Sequence, residues 1–105
     1  MNLSGHKLGI LVAAAPHQRN FDHALALAET GLRRGVVVYL YCLDDAVTGL
    51  GHPRMETLKG LGLRLWACAY GARRRSIPLG SQAVFGGLSV VSDLMRNVDR
   101  FVCFT

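Results

Sequence analysis

The chain has 105 residues, 12 of them Lys or Arg against 7 Asp or Glu, for a formal net charge of +5; half its residues are apolar and 18% are charged. That length suits one domain, above the roughly 40 residues below which a core needs staples and far below the ~250 at which chains divide. So little charge beside so much apolar surface excludes a disordered chain, and the longest uncharged stretch, residues 77–92, is broken by Pro78, Gly80, Gly86 and Gly87 and cannot form a membrane-spanning helix.

The first element is Leu8 to Ala14, a short continuous apolar run of the kind a strand buried on both faces shows, and Pro16 stops it. Asn20 is then placed to cap a helix with Phe21, Ala24, Leu25, Ala28 and Leu32 on one face, ended by Arg33-Arg34-Gly35. Val36 to Leu43 is β-branched and aromatic throughout and reads as the second strand, with Asp44-Asp45 as a turn and cap pair after it. A loosely determined crossover holds one helical piece, Met55 to Leu61. Leu63 to Cys68 is the third strand, and Ala69 to Arg75 is compatible with a short helix. A Gly- and Pro-containing loop follows, and Gly87-Leu88-Ser89 opens the next helix. Ser89 is a candidate cap for a helix with Val91, Leu94, Met95 and Val98 on one face, and Phe101 to Phe104 is a closing strand. Strands alternating with helices predict an α/β three-layer sandwich around a mostly parallel sheet of four or five strands, flavodoxin-like in outline.

Cys42, Cys68 and Cys103 lie 26 and 35 residues apart, which gives neither the close pairs of a zinc site nor an even disulfide set. Reduced thiols and no metal are expected. The start, Met1 to Lys7, has no apolar run after a basic segment, so no signal peptide and a reducing cytoplasm are the expectation. Ala13-Ala14-Ala15-Pro16-His17 contains no G-x-G-x-x-G, and Gly80 to Gly87 is no phosphate loop, so no nucleotide cofactor is called for.

Ligands and reactive groups of a parallel sheet collect beyond the carboxyl ends of its strands. That edge offers His17 and Asp44 as possible site rim, and Cys68 with Tyr70, Arg73, Arg74 and Arg75. A helix opening after Cys68 and three guanidinium groups about a turn away would both favour thiolate, the nucleophilic form. The plainer reading is that Cys68 is a small buried hydrophobe. Cys42 and Cys103, inside apolar strands with no cationic neighbour, are expected in the core, and His17 and His23 on the surface. The arginines suit a solvated face or a docking rim for a partner; without interleaved aromatics they make no nucleic-acid surface.

Leu65-Trp66-Ala67-Cys68-Ala69-Tyr70-Gly71-Ala72-Arg73-Arg74, a cysteine at a strand end ahead of an Arg pair, resembles the DsrE- and TusD-type sulfur-relay family. Gly86-Gly87-Leu88-Ser89 through Asp93-Leu94 to Val98-Asp99-Arg100-Phe101-Val102 is similar to that family's closing segment. The resemblance implies a DsrE-like domain over the whole chain, residues 1–105, assembled into trimers or hexamers of one chain or with related subunits. It implies that Cys68 carries sulfur as a persulfide between donor and acceptor proteins, with no cofactor and no membrane. Ala15-Pro16-His17-Gln18 departs from the family's Gly-Pro-rich turn. The competing expectation is a non-catalytic binding or assembly subunit with a basic docking rim and an inert Cys68.

Overall fold

A computed structural model describes residues 2–105. Its strands are β1 Lys7–Val12, β2 Val37–Cys42, β3 Arg64–Cys68, β4 Val84–Gly86 and β5 Arg100–Phe104; its helices are α1 Arg19–Arg33, α2 Pro53–Gly60, α3 Ala69–Arg74 and α4 Leu88–Asn97. A 3₁₀ segment, Asp44–Gly49, lies between β2 and α2. The strands form one sheet in the order β4-β3-β2-β1-β5, with every neighbouring pair parallel. The α/β three-layer fold expected from the sequence is the one observed, with five strands.

The handedness of the connections distributes the helices. From β1 through β2 and β3 to β4 the chain steps in one direction, and right-handed crossovers keep α1 and α2 on one face. Between β4 and β5 the chain reverses past β1, so α4 lies alone on the other face. On the α1 face Ile10, Val12, Val38, Leu40, Cys42 and Ala67 are fully buried beneath Phe21, Ala24, Leu25 and Ala28 of α1 and Met55 of α2. Each large side chain buried there contributes roughly 1.5–3 kcal/mol of transfer free energy. Register sets Gly9, Leu11, Tyr39, Tyr41, Trp66, Cys68, Gly86 and Phe101 on the α4 face. This cover is thinner. Leu94 is the buried residue of α4, while Leu88 and Met95 stay exposed, as does Val84 on the edge strand β4.

Several local expectations are corrected. Residues 84–86 pair with β3 and are a strand, too short to show any periodicity. The cap of α1 is Gln18, whose side chain accepts the Ala15 N–H at 2.7 Å, and Asn20 lies inside the first turn. Gly87 caps α4 in place of Ser89. The central helix starts at Pro53, where the His52 ring nitrogen accepts the Arg54 N–H at 3.1 Å. Asp44-Asp45 opens the 3₁₀ segment rather than a bare turn. Cys103 is exposed, not in the core: it sits on the edge strand β5, on the face that α4 only partly covers. Among the described residues no helix is long and apolar enough to cross a membrane.

Gly9, in the centre of β1, marks a point of close packing on the α4 face. A Cβ there would stand 2.8 Å from the Phe101 ring and 3.3 Å from Val98. Glycine leaves the room that the Phe101 ring occupies over the strand. Gly9→Val is therefore expected to cost about 1–3 kcal/mol through overpacking, read as a lower urea midpoint with an unchanged slope. An unchanged midpoint would show that the ring moves aside freely.

Candidate functional site

β3 ends at Cys68, whose extended backbone (φ −71°, ψ 116°) makes it the cap of α3. Its Sγ accepts the Gly71 N–H at 3.3 Å. The helix is short because Ser76 takes a left-handed conformation (φ 56°), while Ile77 N–H returns to Ala72 O at 2.9 Å and Ser76 N–H to Arg73 O at 3.1 Å. That closing pattern satisfies carbonyls the last turn would otherwise leave open. It also fixes the three arginines in different directions.

Arg75 bends back over its own helix. Its guanidinium donates to Gly71 O at 3.2 Å and to Asp45 Oδ1 at 2.9 Å, tying α3 to the 3₁₀ segment. Arg74 lies over the Tyr70 ring, 5.8 Å from its centroid, and among the described residues it has no carboxylate partner. This stacking presents the cation at the surface without a counter-charge. Arg73 is exposed.

A depression of about 500 Å³ opens at this edge. Leu43 and Asp44 from the β2 exit, Cys68, Tyr70, Gly71, Arg74 and Arg75 from β3 and α3, and Gly87 and Leu88 from the start of α4 line it. Cys68 is only 6% exposed, so its sulfur forms part of the floor, while Tyr70 and Leu88 rise as an apolar rim. Asp44 adopts φ 50°, a left-handed backbone for which Asp is among the more tolerant residues, and its side chain is exposed at the opposite rim. A hollow of similar size, about 560 Å³, around Tyr39, Lys59, Arg64 and Trp66 is lined by no cysteine.

The structure thus brings together Cys68, Tyr70, Arg74, Arg75 and Asp44. Arg73 and His17 do not line the depression: Arg73 points off α3, and His17 is exposed on the loop after β1. The depression lies over the ends of β2, β3 and β4, away from the switch point between β1 and β5. Among the described residues no three His, Cys, Asp or Glu side chains gather closely enough to hold a metal ion.

Two neighbours escaped the sequence reading. Asp45, read as a cap, is the carboxylate that holds Arg75. Tyr41, indistinguishable from core aromatics in an apolar strand, is fully buried and its hydroxyl donates to Gly86 O at 3.1 Å. Burial, and next the neighbouring Cys68 sulfur, push its phenol well above the ordinary tyrosine range. The one signal available was a polar-tipped aromatic at the carboxyl end of a strand adjoining the cysteine's strand.

No family model and no curated protein matches the chain. Solved structures share its fold, two of them over nearly the whole chain. The YchN protein from E. coli superposes with a TM-score of 0.72 at 20% identity, covering 94% of this chain and 99% of that one. A conserved protein of unknown function from Bacteroides thetaiotaomicron superposes with a TM-score of 0.76 at 13% identity, covering 92% and 93%. At these identities the likeness is one of fold, and it bears out the α/β architecture with a parallel sheet that the sequence suggested.

Cys42 is a contrasting thiol. It lies on the α1 face, wholly enclosed, and burial pushes it up to about 12. A proton held more tightly in the folded than in the unfolded chain makes a contribution to stability that is complete below the ordinary thiol range and is lost as pH rises from about 9 to about 12. Chemical denaturation across that window is expected to show falling stability, with a shallower fall in Cys42→Ala. An identical slope in the variant would show that Cys42 titrates as freely folded as unfolded.

Proposed function

We propose that this protein carries sulfane sulfur between protein partners as a persulfide on Cys68, using no cofactor. The supporting observation is the placement of this thiol: floor of a depression at the strand ends, a backbone N–H on its sulfur, and the uncompensated guanidinium of Arg74 at the rim. Donors and positive charge near a sulfur favour its thiolate, the form that attacks.

The chemistry is thiol exchange. The Cys68 thiolate attacks the outer sulfur of a donor persulfide, R–S–SH; the new Cys68 S–S bond forms as the donor's own S–S bond breaks, and R–S⁻ leaves. No net oxidation occurs. The product, Cys68-S-SH, extends the transferable sulfur outward by about 2 Å, the length of an S–S bond, from the floor into the depression. An acceptor thiolate then takes the outer sulfur and restores Cys68. Arg74, with exposed Arg73, meets an anionic donor or an acidic partner surface, while Tyr70 and Leu88 supply its apolar contact. Exposed Met95 and Val84, outside the depression, are the surface we assign to contacts between copies, as a homo-oligomer or with related subunits.

The burial of Cys68 favours a second reading, a non-catalytic assembly subunit in which the rim docks a partner and the thiol is inert. Exposure to glutathione persulfide followed by mass spectrometry separates the two. The carrier reading expects one added sulfur on Cys68, lost in Cys68→Ser, with loading slowed roughly 3- to 10-fold in Arg74→Ala. Sulfur spread equally over Cys103 and Cys68, or none on Cys68, would overturn it. For assembly, light scattering after gel filtration is expected to give a mass several times that of one chain, reduced when Val84 and Met95 are both replaced by Ser; a monomer in the unmodified protein would refute the contact surface.

A further inference from the structure

Tyr41 is a buried titratable group that sulfur exchange on Cys68 leaves unused. Its hydroxyl reaches Gly86 O on β4 from a backbone on β2. Two inter-strand spacings, about 9.6 Å, separate those strands, so the phenol must cross β3 on the α4 face. The β3 residue paired with Tyr41 is Trp66, and the one paired with Gly86 is Cys68. The phenol therefore runs diagonally from Trp66 toward Cys68 and ends with its oxygen beside both the thiol and the Gly86 carbonyl.

That O–H bonds the Gly86 carbonyl and has the Cys68 sulfur as its neighbour. We propose that Tyr41 is a positioning residue for Cys68, its hydroxyl turning from Gly86 O to Cys68 Sγ when the sulfur is ionised and back when the negative charge moves to the outer sulfur of the persulfide. This rests on Cys68 being the working thiol of the sulfur-carrier reading. The proton stays on the Tyr41 oxygen throughout, because burial and the adjacent sulfur both hold the phenol in its neutral form. Only hydrogen bonds change partners; the proton released by Cys68 goes to solvent.

The other groups facing Cys68 are few. From α3 come Tyr70, Arg74 and Arg75, the last matched by Asp45; from the β2 exit comes Asp44; the start of α4 contributes Gly87 and Leu88, which do not titrate. Cys42 adjoins Tyr41 in sequence but lies on the opposite face of the sheet, neutral through burial. Of the charged or ionisable side chains near the sulfur, Tyr41 is the one shielded from water and aimed from below the floor.

The test uses the full chain with Cys42→Ala and Cys103→Ser, so that iodoacetamide reads Cys68 alone as a function of pH. Tyr41→Phe keeps the ring and removes the donor; its alkylation profile is expected to move toward higher pH by about one unit, the size of a hydrogen bond to a charged group partly replaced by solvent. Site-specific 3-fluorotyrosine at position 41, a stronger donor, is expected to move the profile the other way, a displacement that loosened packing cannot produce. If Tyr41→Phe does not fold, the fluorotyrosine protein decides alone. Superimposable profiles would overturn the proposal. Persulfide loading is measured separately on the same proteins: displaced profiles without loading would sink the sulfur-carrier reading and leave the role of Tyr41 intact, whereas loading with superimposable profiles would do the reverse.

Discussion

Right-handed crossover between parallel strands is the constraint on which the arrangement depends. Applied to the order β4-β3-β2-β1-β5, it commits α1 and α2 to one face and leaves α4 alone on the other. The first face becomes the closed core, where Cys42 is sealed. The second stays thinly covered, and register puts Cys68 on it, at the strand end where α4 begins. One thiol is shut in and another opens on a depression, although both lie at strand ends in apolar runs.

The arginine run shows a similar division of labour. Asp45 and the Gly71 carbonyl hold Arg75 as a clamp between α3 and the 3₁₀ segment, so much of its charge is spent within the protein. Arg74 keeps its charge for solvent or a partner because Tyr70 supports it by stacking alone. A chain with net charge +5 thus has at the site one compensated and one uncompensated guanidinium. The exposed apolar residues next to them, Tyr70 and Leu88, give the rim the mixed character of a contact surface rather than of a solvated face.

Much of this was legible in the residues. β1 and β2 showed as continuous apolar runs because both faces are buried, and α1 and α4 showed through 3.6-residue periodicity. Cys68 stood out by its neighbours. What sequence could not show depended on which side chain is covered by what. Three residues, 84–86, carry no period; Cys103 looked like core because an apolar strand does not reveal that it will be an edge. Arg73, Arg74 and Arg75 are equivalent as a string and become distinct only once Ser76 ends the helix. Tyr41 was hidden for the same reason: its partner Gly86 is 45 residues away, on the strand that the sequence did not betray.

The central claim is that the fold presents Cys68 as a working thiol instead of enclosing it as it encloses Cys42. The most direct measurement is the second-order rate of Cys68 alkylation at neutral pH in the native protein, compared with the same cysteine in the urea-unfolded chain. Hydrogen-bond donors and a nearby cation at the floor of an open depression predict a native rate equal to or above the unfolded one. A native rate lower by orders of magnitude, matching that of Cys42, would contradict the account.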